Sequence, residues 1–187
     1  MKKIGYQGIK YSNSYYATLE FINKEKLGEI ELIDLTTSKN VIDNLISKNI
    51  DYAVLAIKNS IVGEVKETKK VLNNSFKIIS KIKIPIHHCL FRKKYVKNEN
   101  IKYIASHEQA ILQTKNNINK MFNNIEYIYT KDTALSAKLL NENKLDKNSA
   151  VICPYQAGVK YNLHCIKKNI EDKSDNYTEF VLLSYNK

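Results

Sequence analysis

One continuous apolar run, Asp51-Tyr-Ala-Val-Leu-Ala-Ile57, constrains the fold more than any other feature of the chain. Central strands of parallel sheets are covered on both faces, so they appear in a sequence as unbroken apolar segments instead of alternating ones. The run therefore predicts a central strand of a parallel sheet. Residues 64–72 are predicted to form a helix after it.

Strand-like and helix-like segments alternate along nearly the whole chain. The predicted strands are residues 3–6, 29–34, 51–57, 76–91 with a break at Pro85, 101–105, 125–130, 150–153, 163–170 and 180–184. Predicted helices lie between most of them, and Ser12, Thr37 and Ser106 are candidates to cap three of these helices. Such alternation predicts an α/β fold with parallel sheets.

Two long extended runs, residues 76–91 and 163–170, each lie between two groups of strands and helices. We therefore predict two lobes joined by two crossovers, with the last strand returning to the first lobe. Lobe 1 would comprise residues 1–83 plus 165–187, and lobe 2 residues 84–164. Because ligands of such folds bind at the carboxyl ends of strands, we expect the active site in a cleft between the lobes.

The composition is that of a globular protein, with 187 residues of which 43% are hydrophobic. No run of about 18 apolar residues occurs, so no membrane association is expected. The N-terminus enters a strand-like run directly and lacks the features of a signal peptide. We therefore expect a cytoplasmic protein.

The formal net charge of +11 raises the question of nucleic-acid binding. Of the 30 basic residues only Arg92 is an arginine, whereas base and phosphate recognition favours the bidentate guanidinium group. We expect no nucleic-acid partner, and instead a small anionic substrate that the charge would attract. Cys89, Cys153 and Cys165 are widely spaced, which indicates free thiols and no metal site.

Polar side chains cluster at four junctions between strands and helices or loops. The candidate ligand-binding residues are Ser12 and Ser14, Asn59 and Ser60, Ser106, His107 and Gln109, and Asn176 with Thr178. Amides and hydroxyls at a helix start suit an anion such as a carboxylate. Each cluster is also compatible with an ordinary capping loop, and His107 with a structural hydrogen-bonding role. A helix N-terminus would disfavour the charged form of His107.

Several segments resemble one enzyme family in order and spacing. They are Ile4-Gly-Tyr-Gln-Gly-Ile-Lys-Tyr-Ser-Asn-Ser-Tyr-Tyr-Ala17, Asp51-Tyr-Ala-Val-Leu-Ala-Ile-Lys-Asn-Ser-Ile-Val-Gly63, Ile86-His-His-Cys-Leu90, Ser106-His-Glu-Gln-Ala-Ile-Leu-Gln113, Asn169-Ile-Glu-Asp172 and Asn176-Tyr-Thr-Glu-Phe180. The chain thereby resembles the catalytic domain of prephenate dehydratases over nearly its whole length. Such enzymes convert prephenate into phenylpyruvate in phenylalanine biosynthesis.

The resemblance implies two α/β lobes like those of type 2 periplasmic binding proteins, a homodimer or homotetramer, and no metal or cofactor. It implies that Thr178 is the catalytic proton donor. The implied substrate-binding residues are Ser12, Ser14, Asn59, Ser60, Ser106, His107, Gln109, Asn176 and Phe180. The family often carries a phenylalanine-sensing domain after the catalytic domain, for which this sequence has no room, so we expect no such response to phenylalanine.

The chain departs from the family pattern at charged positions. Glu179 stands where the family has Arg, and Lys58 where it has Glu. If position 179 faces the substrate, the reversal replaces attraction by repulsion, each worth about 4 kcal/mol at roughly 4 Å and an effective dielectric constant near 20. We hypothesise that Lys58 and Glu179 are neighbours that have exchanged charges. Tyr11 also replaces a glycine of the first loop and would fill space there.

Three functions remain open from the sequence. The first is a prephenate dehydratase, which the retained Thr178 favours. The second is a non-aromatising prephenate decarboxylase, a related enzyme type that lacks the Thr-Arg-Phe pattern. The third is a non-catalytic descendant that binds a ligand, with which the reversed charges and the crowded first loop agree.

Overall fold

The computed structural model describes residues 1–186. The strands are β1 (Lys2–Tyr6), β2 (Ile30–Asp34), β3 (Tyr52–Asn59), β4 (Gly63–Glu64), β5 (Phe76–Pro85), β6 (Cys89–Arg92), β7 (Tyr103–Ser106), β8 (Glu126–Tyr129), β9 (Ser149–Cys153), β10 (His164–Lys167) and β11 (Tyr177–Tyr185). The α-helices are α1 (Asn13–Lys24), α2 (Ser38–Ile46), α3 (Lys66–Val71), α4 (Glu108–Met121), α5 (Thr133–Asn141) and α6 (Tyr155–Lys160).

The chain forms two compact units, as the prediction of two α/β lobes requires. The first unit comprises Met1–Pro85 and the chain from Asn176 onward, and the second comprises Ile86–Asp175. The first boundary lies two residues beyond the predicted one. The predicted second boundary after residue 164 is wrong, because β10 pairs with β6 and therefore belongs to the sheet of the second unit.

The first unit is built on a mixed sheet in the order β2-β1-β3-β11-β5, with β4 paired to β3. The strands β2, β1 and β3 are parallel, whereas β11 runs antiparallel to both β3 and β5. The predicted central position of the apolar run is confirmed. The predicted all-parallel sheet is wrong, because the last strand returns between β3 and β5 in the opposite direction.

Each face of this sheet is covered by helices and carries its own apolar core. Leu55, Val181 and Leu183 pack with residues of α2 on one face. Val54, Phe180 and Leu182 pack with residues of α1 on the other. Consecutive residues of a strand point to opposite faces, so alternate residues of β11 enter different cores.

The second unit has a five-stranded mixed sheet in the order β10-β6-β9-β7-β8. Its core includes Leu90, Ile104 and Ile152 from strands and Ile111 and Ile118 from α4. Within residues 1–186, no helix has the length and apolar character that a membrane crossing requires.

Helix starts follow local side-chain chemistry, with two corrections. Ser12 and Thr37 are the N-caps of α1 and α2, as predicted. Ser106 is not a cap, because it is the last residue of β7, and the cap of α4 is His107. The helix predicted from residue 64 begins only at Lys66, because Gly63–Glu64 pairs with β3 as β4.

Candidate active site

Asn59, the last residue of β3, organises the polar end of the first unit's sheet. Its Nδ2 atom donates to Thr178 Oγ1 at 3.0 Å and to Asn176 Oδ1 at 2.9 Å. Its Oδ1 atom accepts from the backbone N–H groups of Ile61 at 3.0 Å and Val62 at 3.1 Å. Since both ends of the amide are engaged, the orientation of the Asn59 side chain is fixed.

Ser60 joins the same loop to the start of β11. Its backbone N–H donates to the carbonyl of Tyr177 at 2.9 Å, and the N–H of Tyr177 donates to Ser60 Oγ at 3.0 Å. The loop after β3 and the start of β11 therefore form one hydrogen-bonded unit. Two of the four predicted clusters, which are 117 residues apart in sequence, are thus brought together.

Thr178 is nearly buried, with 9% of its surface exposed. Its hydroxyl oxygen accepts the hydrogen bond from Asn59, and a hydroxyl has a single hydrogen of its own to donate. This arrangement fixes the oxygen and leaves the hydroxyl hydrogen for an acceptor elsewhere. The Thr178 hydroxyl is thus held in place at the start of β11.

Glu179 points to the opposite face of the sheet from Thr178, because the two are consecutive in β11. It lies opposite Lys58 of β3 and Lys83 of β5 in the strand register. Its Oε1 atom is 4.0 Å from Lys81 Nζ. Glu179 is therefore bordered by lysines on both neighbouring strands.

The structure bears on the hypothesis of exchanged charges in two ways. Lys58 and Glu179 are direct neighbours across the β3–β11 pair, as the hypothesis requires. The salt bridges among residues 1–186 nevertheless include none between them, and Glu179 instead approaches Lys81. Lys58 also lies opposite Glu64, whose carboxyl pKa is lowered mainly by Lys69 and further by Lys58.

The loop before α1 uses its predicted polar residues mainly for folding. Ser12 is buried, and its Oγ atom accepts from the N–H of Tyr15 at 3.3 Å. Ser14 is half-buried, and its carbonyl accepts from Thr18. Tyr11 has a φ of 73°, the left-handed conformation that glycine adopts without strain. The chain thus keeps the conformation of a glycine at Tyr11, at a cost of about 1–2 kcal/mol.

The third predicted cluster lies in the second unit, at the junction of β7 and α4. Ser106 is fully buried and donates from Oγ to the carbonyl of Ile152 at 2.7 Å, so its role is structural. His107 is half-buried, and its Nδ1 atom accepts from the N–H of Gln109 at 3.3 Å. An accepting Nδ1 carries no proton, which agrees with the neutral form expected at a helix N-terminus. Gln109 is exposed in the first turn of α4.

Phe180, predicted to bind substrate, packs in the apolar core, and its predicted role stays a prediction. Its side chain is 2% exposed and packs in the core beneath α1. The sequence pattern could not separate the two roles, because Phe180 belongs to the same short motif as Thr178.

A polar network in the second unit, buried except for His87, was missed from the sequence. His88 Nε2 lies 2.8 Å from Gln113 Oε1, and His87 Nδ1 lies 2.8 Å from Glu171 Oε1. The second oxygen of Glu171 accepts from the N–H of His88 at 3.0 Å. Burial lowers the pKa of His88, which keeps its imidazole neutral. All of these residues lie in segments that carried the family resemblance, so that resemblance was the available signal.

No metal-binding group emerges from the described part of the chain, in which no cluster of three or more His, Cys, Asp or Glu side chains is arranged to hold an ion. Cys89 and Cys153 are buried free thiols, whereas Cys165 is only partly buried. Burial raises the pKa of all three thiols, which disfavours the thiolate form that metals bind.

The mixed α/β fold and the Asn59–Thr178 pair at the end of two antiparallel strands characterise this domain. The family model of prephenate dehydratase matches residues 4–187. The chain belongs to the prephenate dehydratase family.

Curated relatives carry dehydratase names. The chain is 34% identical over 137 residues to arogenate dehydratase/prephenate dehydratase 1, chloroplastic, of Arabidopsis thaliana, covering 72% of this chain and 34% of the relative. It is 32% identical over 186 residues to the bifunctional chorismate mutase/prephenate dehydratase of Buchnera aphidicola, covering 98% of this chain and 47% of the relative. The chain thus spans between a third and a half of the length of these relatives.

A solved structure shares the fold. The prephenate dehydratase of Arthrobacter aurescens in complex with L-Phe superposes with a TM-score of 0.83 at 22% identity, covering 99% of this chain and 61% of that one. Neither the family match nor the relatives favour a non-aromatising decarboxylase or a non-catalytic ligand-binding protein.

Proposed function

We propose that this chain converts prephenate into phenylpyruvate by decarboxylation and dehydration, a step of phenylalanine biosynthesis. The observation that supports this most directly is the Thr178 hydroxyl, whose oxygen is held at 3.0 Å by Asn59. The family's reaction needs one positioned proton donor, and the Thr178 hydroxyl is proposed for that role. No redox or metal chemistry enters the proposed reaction.

The proposed reaction balances without a cofactor. The bond between the ring and its carboxylate breaks, and its electron pair enters the ring as CO2 leaves. The ring hydroxyl departs with the electrons of its own bond and receives the proton or hydrogen bond of Thr178. Water restores that proton. Aromatisation of the ring supplies the driving force, and exclusion of water favours the loss of the charged carboxylate as CO2.

The orientation of Glu179 supports this proposal despite the charge reversal. Glu179 points to the face of the sheet opposite to Thr178, so its carboxylate is directed away from that hydroxyl. Its charge is also offset by Lys81.

Ser14, Ser60, Asn176, His107 and Gln109 are proposed substrate-binding residues. Ser12 and Asn59 use their side chains to order the loops, so we propose that they act on substrate through backbone and neighbouring groups. The net charge of +11 favours a small anionic substrate.

The purified chain should be mixed with prephenate at neutral pH, and the products identified by mass and ultraviolet absorbance. We expect phenylpyruvate above the spontaneous background measured with heat-denatured protein. A decarboxylated product that keeps its hydroxyl would instead indicate the decarboxylase, and no turnover would indicate a binding protein. Arogenate should be tested in parallel, because the Arabidopsis relative is named for both substrates.

A cytoplasmic location and a homodimeric or homotetrameric state are further parts of the proposal. Light scattering coupled to size-exclusion chromatography would measure the mass of the particle against the 21.6 kDa of one chain. Fractionation of cells that express the native protein would test the location.

A further inference from the structure

Strand β5 forms one end of the first unit's sheet, and its outer edge pairs with no other strand of residues 1–186. It is 10 residues long, whereas exposed edge strands are commonly short or covered. Beside this edge, α1 and β5 enclose an open groove of about 750 Å³. A long unpaired edge beside a groove has the form of a site for an added strand.

The groove has an apolar floor and a basic rim. Tyr16 and Leu19 of α1 face Ile82 and Ile84 of β5 along the floor. Lys24 and Glu20 of α1 carry charges on the same side as this floor, whereas the side chains of Lys81 and Lys83 point to the opposite face, where Lys81 approaches Glu179. A partner that fits this lining carries acidic side chains alternating with apolar ones.

Main-chain groups of β5 point outward from the edge of the sheet at alternate residues. The N–H and C=O of Tyr177 point from β11 toward Ser60, so those of Thr178 and Phe180 point toward β5. The N–H and C=O groups of their partners Ile82 and Ile84 therefore point inward to β11, and those of Lys81 and Lys83 point outward from the sheet. Lys24 Nζ donates to the carbonyl of Lys81 at 3.0 Å, as expected for an outward group that lacks a strand partner.

Self-association through this edge is disfavoured by charge. In a symmetric antiparallel pair of two β5 strands, residues on the same face lie opposite each other. In registers centred on residues 81, 82 or 83, Lys81 or Lys83 of one copy meets Lys81 or Lys83 of the other. Like charges directly opposite are destabilising, so an acidic partner fits this edge better than a second copy does.

We propose that the outer edge of β5 binds an extended acidic peptide segment as an added antiparallel strand. Backbone hydrogen bonds to Lys81 and Lys83 hold the segment. Its apolar side chains contact Ile82 and Ile84 on the face beneath α1, and its carboxylates meet the Lys81 and Lys83 side chains on the opposite face. The site lies one strand away from Thr178, since Thr178 pairs with Ile84.

The test uses a fluorescein-labelled ten-residue peptide of alternating glutamate and valine, titrated with the full chain and followed by fluorescence anisotropy. Two variants are compared, Lys83→Pro and Lys83→Gln. Both remove the charge, but only proline removes the outward N–H, and an edge strand tolerates proline at such a position. We expect saturable binding that is at least tenfold weaker for Lys83→Pro than for Lys83→Gln.

Two control peptides keep the proposal testable if Lys83→Pro misfolds. The same peptide with one of its two central residues replaced by proline should bind at least tenfold more weakly to the wild-type chain. A peptide of alternating lysine and valine should not bind. Equal binding of the alternating and proline-interrupted peptides would reduce the site to a charge effect and overturn the proposal. Absence of saturable binding would overturn it too, as would a dimer of the wild-type chain that Lys83→Pro dissociates.

Discussion

The Nδ2 atom of Asn59 lies 3.0 Å from the hydroxyl oxygen of Thr178, although the two residues are 119 positions apart in the sequence. The contact joins the ends of two antiparallel strands, in which Asn59 and Thr178 are direct partners in the register. It fixes the Thr178 oxygen while Asn59 itself is held by the backbone of Ile61 and Val62. The proposed proton donor is therefore positioned by the sheet and not by a mobile loop.

Replacement of Thr178 by alanine is expected to lower kcat for prephenate by about 10²–10⁴-fold, because it removes a positioned proton donor. Thr178→Ser keeps the hydroxyl and is the matched control, for which we expect activity near that of the wild type. Steady-state formation of phenylpyruvate measures both. Full activity of Thr178→Ala would assign the proton donor to another residue.

Asn59→Asp is expected to lower kcat with a smaller effect on KM. Aspartate keeps an oxygen for the N–H groups of Ile61 and Val62, but its second oxygen accepts from the Thr178 hydroxyl instead of donating to it, which withdraws the hydroxyl hydrogen from the substrate. We also expect a loss of about 1–3 kcal/mol in the free energy of unfolding, because a buried carboxylate lies beside the oxygens of Asn176 and Thr178. Urea unfolding gives the stability. Unchanged kcat in a less stable protein would show that Asn59 serves folding alone.

Glu179→Arg, which introduces the residue of the family pattern, is expected to destabilise this chain. Arginine would lie between Lys58 and Lys83 and near Lys81, and like charges directly opposite on neighbouring strands repel. The groups are partly exposed, so the expected loss is about 1 kcal/mol and should shrink in high salt. Glu179→Gln, which only removes the charge, is the control. A more stable Glu179→Arg protein would contradict the lysine surroundings described above.

The pH dependence of stability should reveal the buried His88. Its folded pKa is lowered by burial from an ordinary value of 6.5, so below that pH the unfolded chain binds a proton that the folded chain does not. The free energy of unfolding should therefore fall as pH drops below about 6.5. Gln113, Glu171 and His87 surround the ring, and the favourable charge of Glu171 opposes the effect only partly.

His88→Gln removes this titration and serves as the comparison. Thermal or urea unfolding should be measured at several pH values between 5 and 7.5. The free energy of unfolding should fall less with decreasing pH for His88→Gln than for the wild-type chain. Parallel curves for the two proteins would show that His88 does not contribute to acid sensitivity.

Local patterns predicted the alternation of strands and helices and most of their positions. The apolar run at residues 51–57 was sufficient to place β3 at the centre of its sheet, because a strand buried on both faces has apolar residues at every position. The direction of β11 could not be predicted in this way, since a buried antiparallel strand has the same apolar composition. The second lobe boundary, after residue 164, was predicted wrongly for a related reason, because nothing in residues 163–170 indicates which sheet β10 joins.

Prediction of the candidate site depended on the family resemblance more than on local chemistry. It selected Asn59, Ser60, Asn176 and Thr178, which the structure joins by hydrogen bonds. It could not indicate that the Ser106 hydroxyl donates to a carbonyl or that Phe180 packs in the core beneath α1. Those contacts depend on the tertiary structure, which a motif does not encode.

The alternation of side chains in β11 changes the meaning of the motif Asn176-Tyr-Thr-Glu-Phe180. Its letters are adjacent in the sequence, but Thr178 and Phe180 belong to the side of the sheet beneath α1, and Glu179 to the side beneath α2. The residue at position 179 therefore meets the lysines of β3 and β5 and not the surface that carries Thr178. A comparison that treats the five residues as one functional unit would assign the difference at position 179 to the wrong face of the sheet.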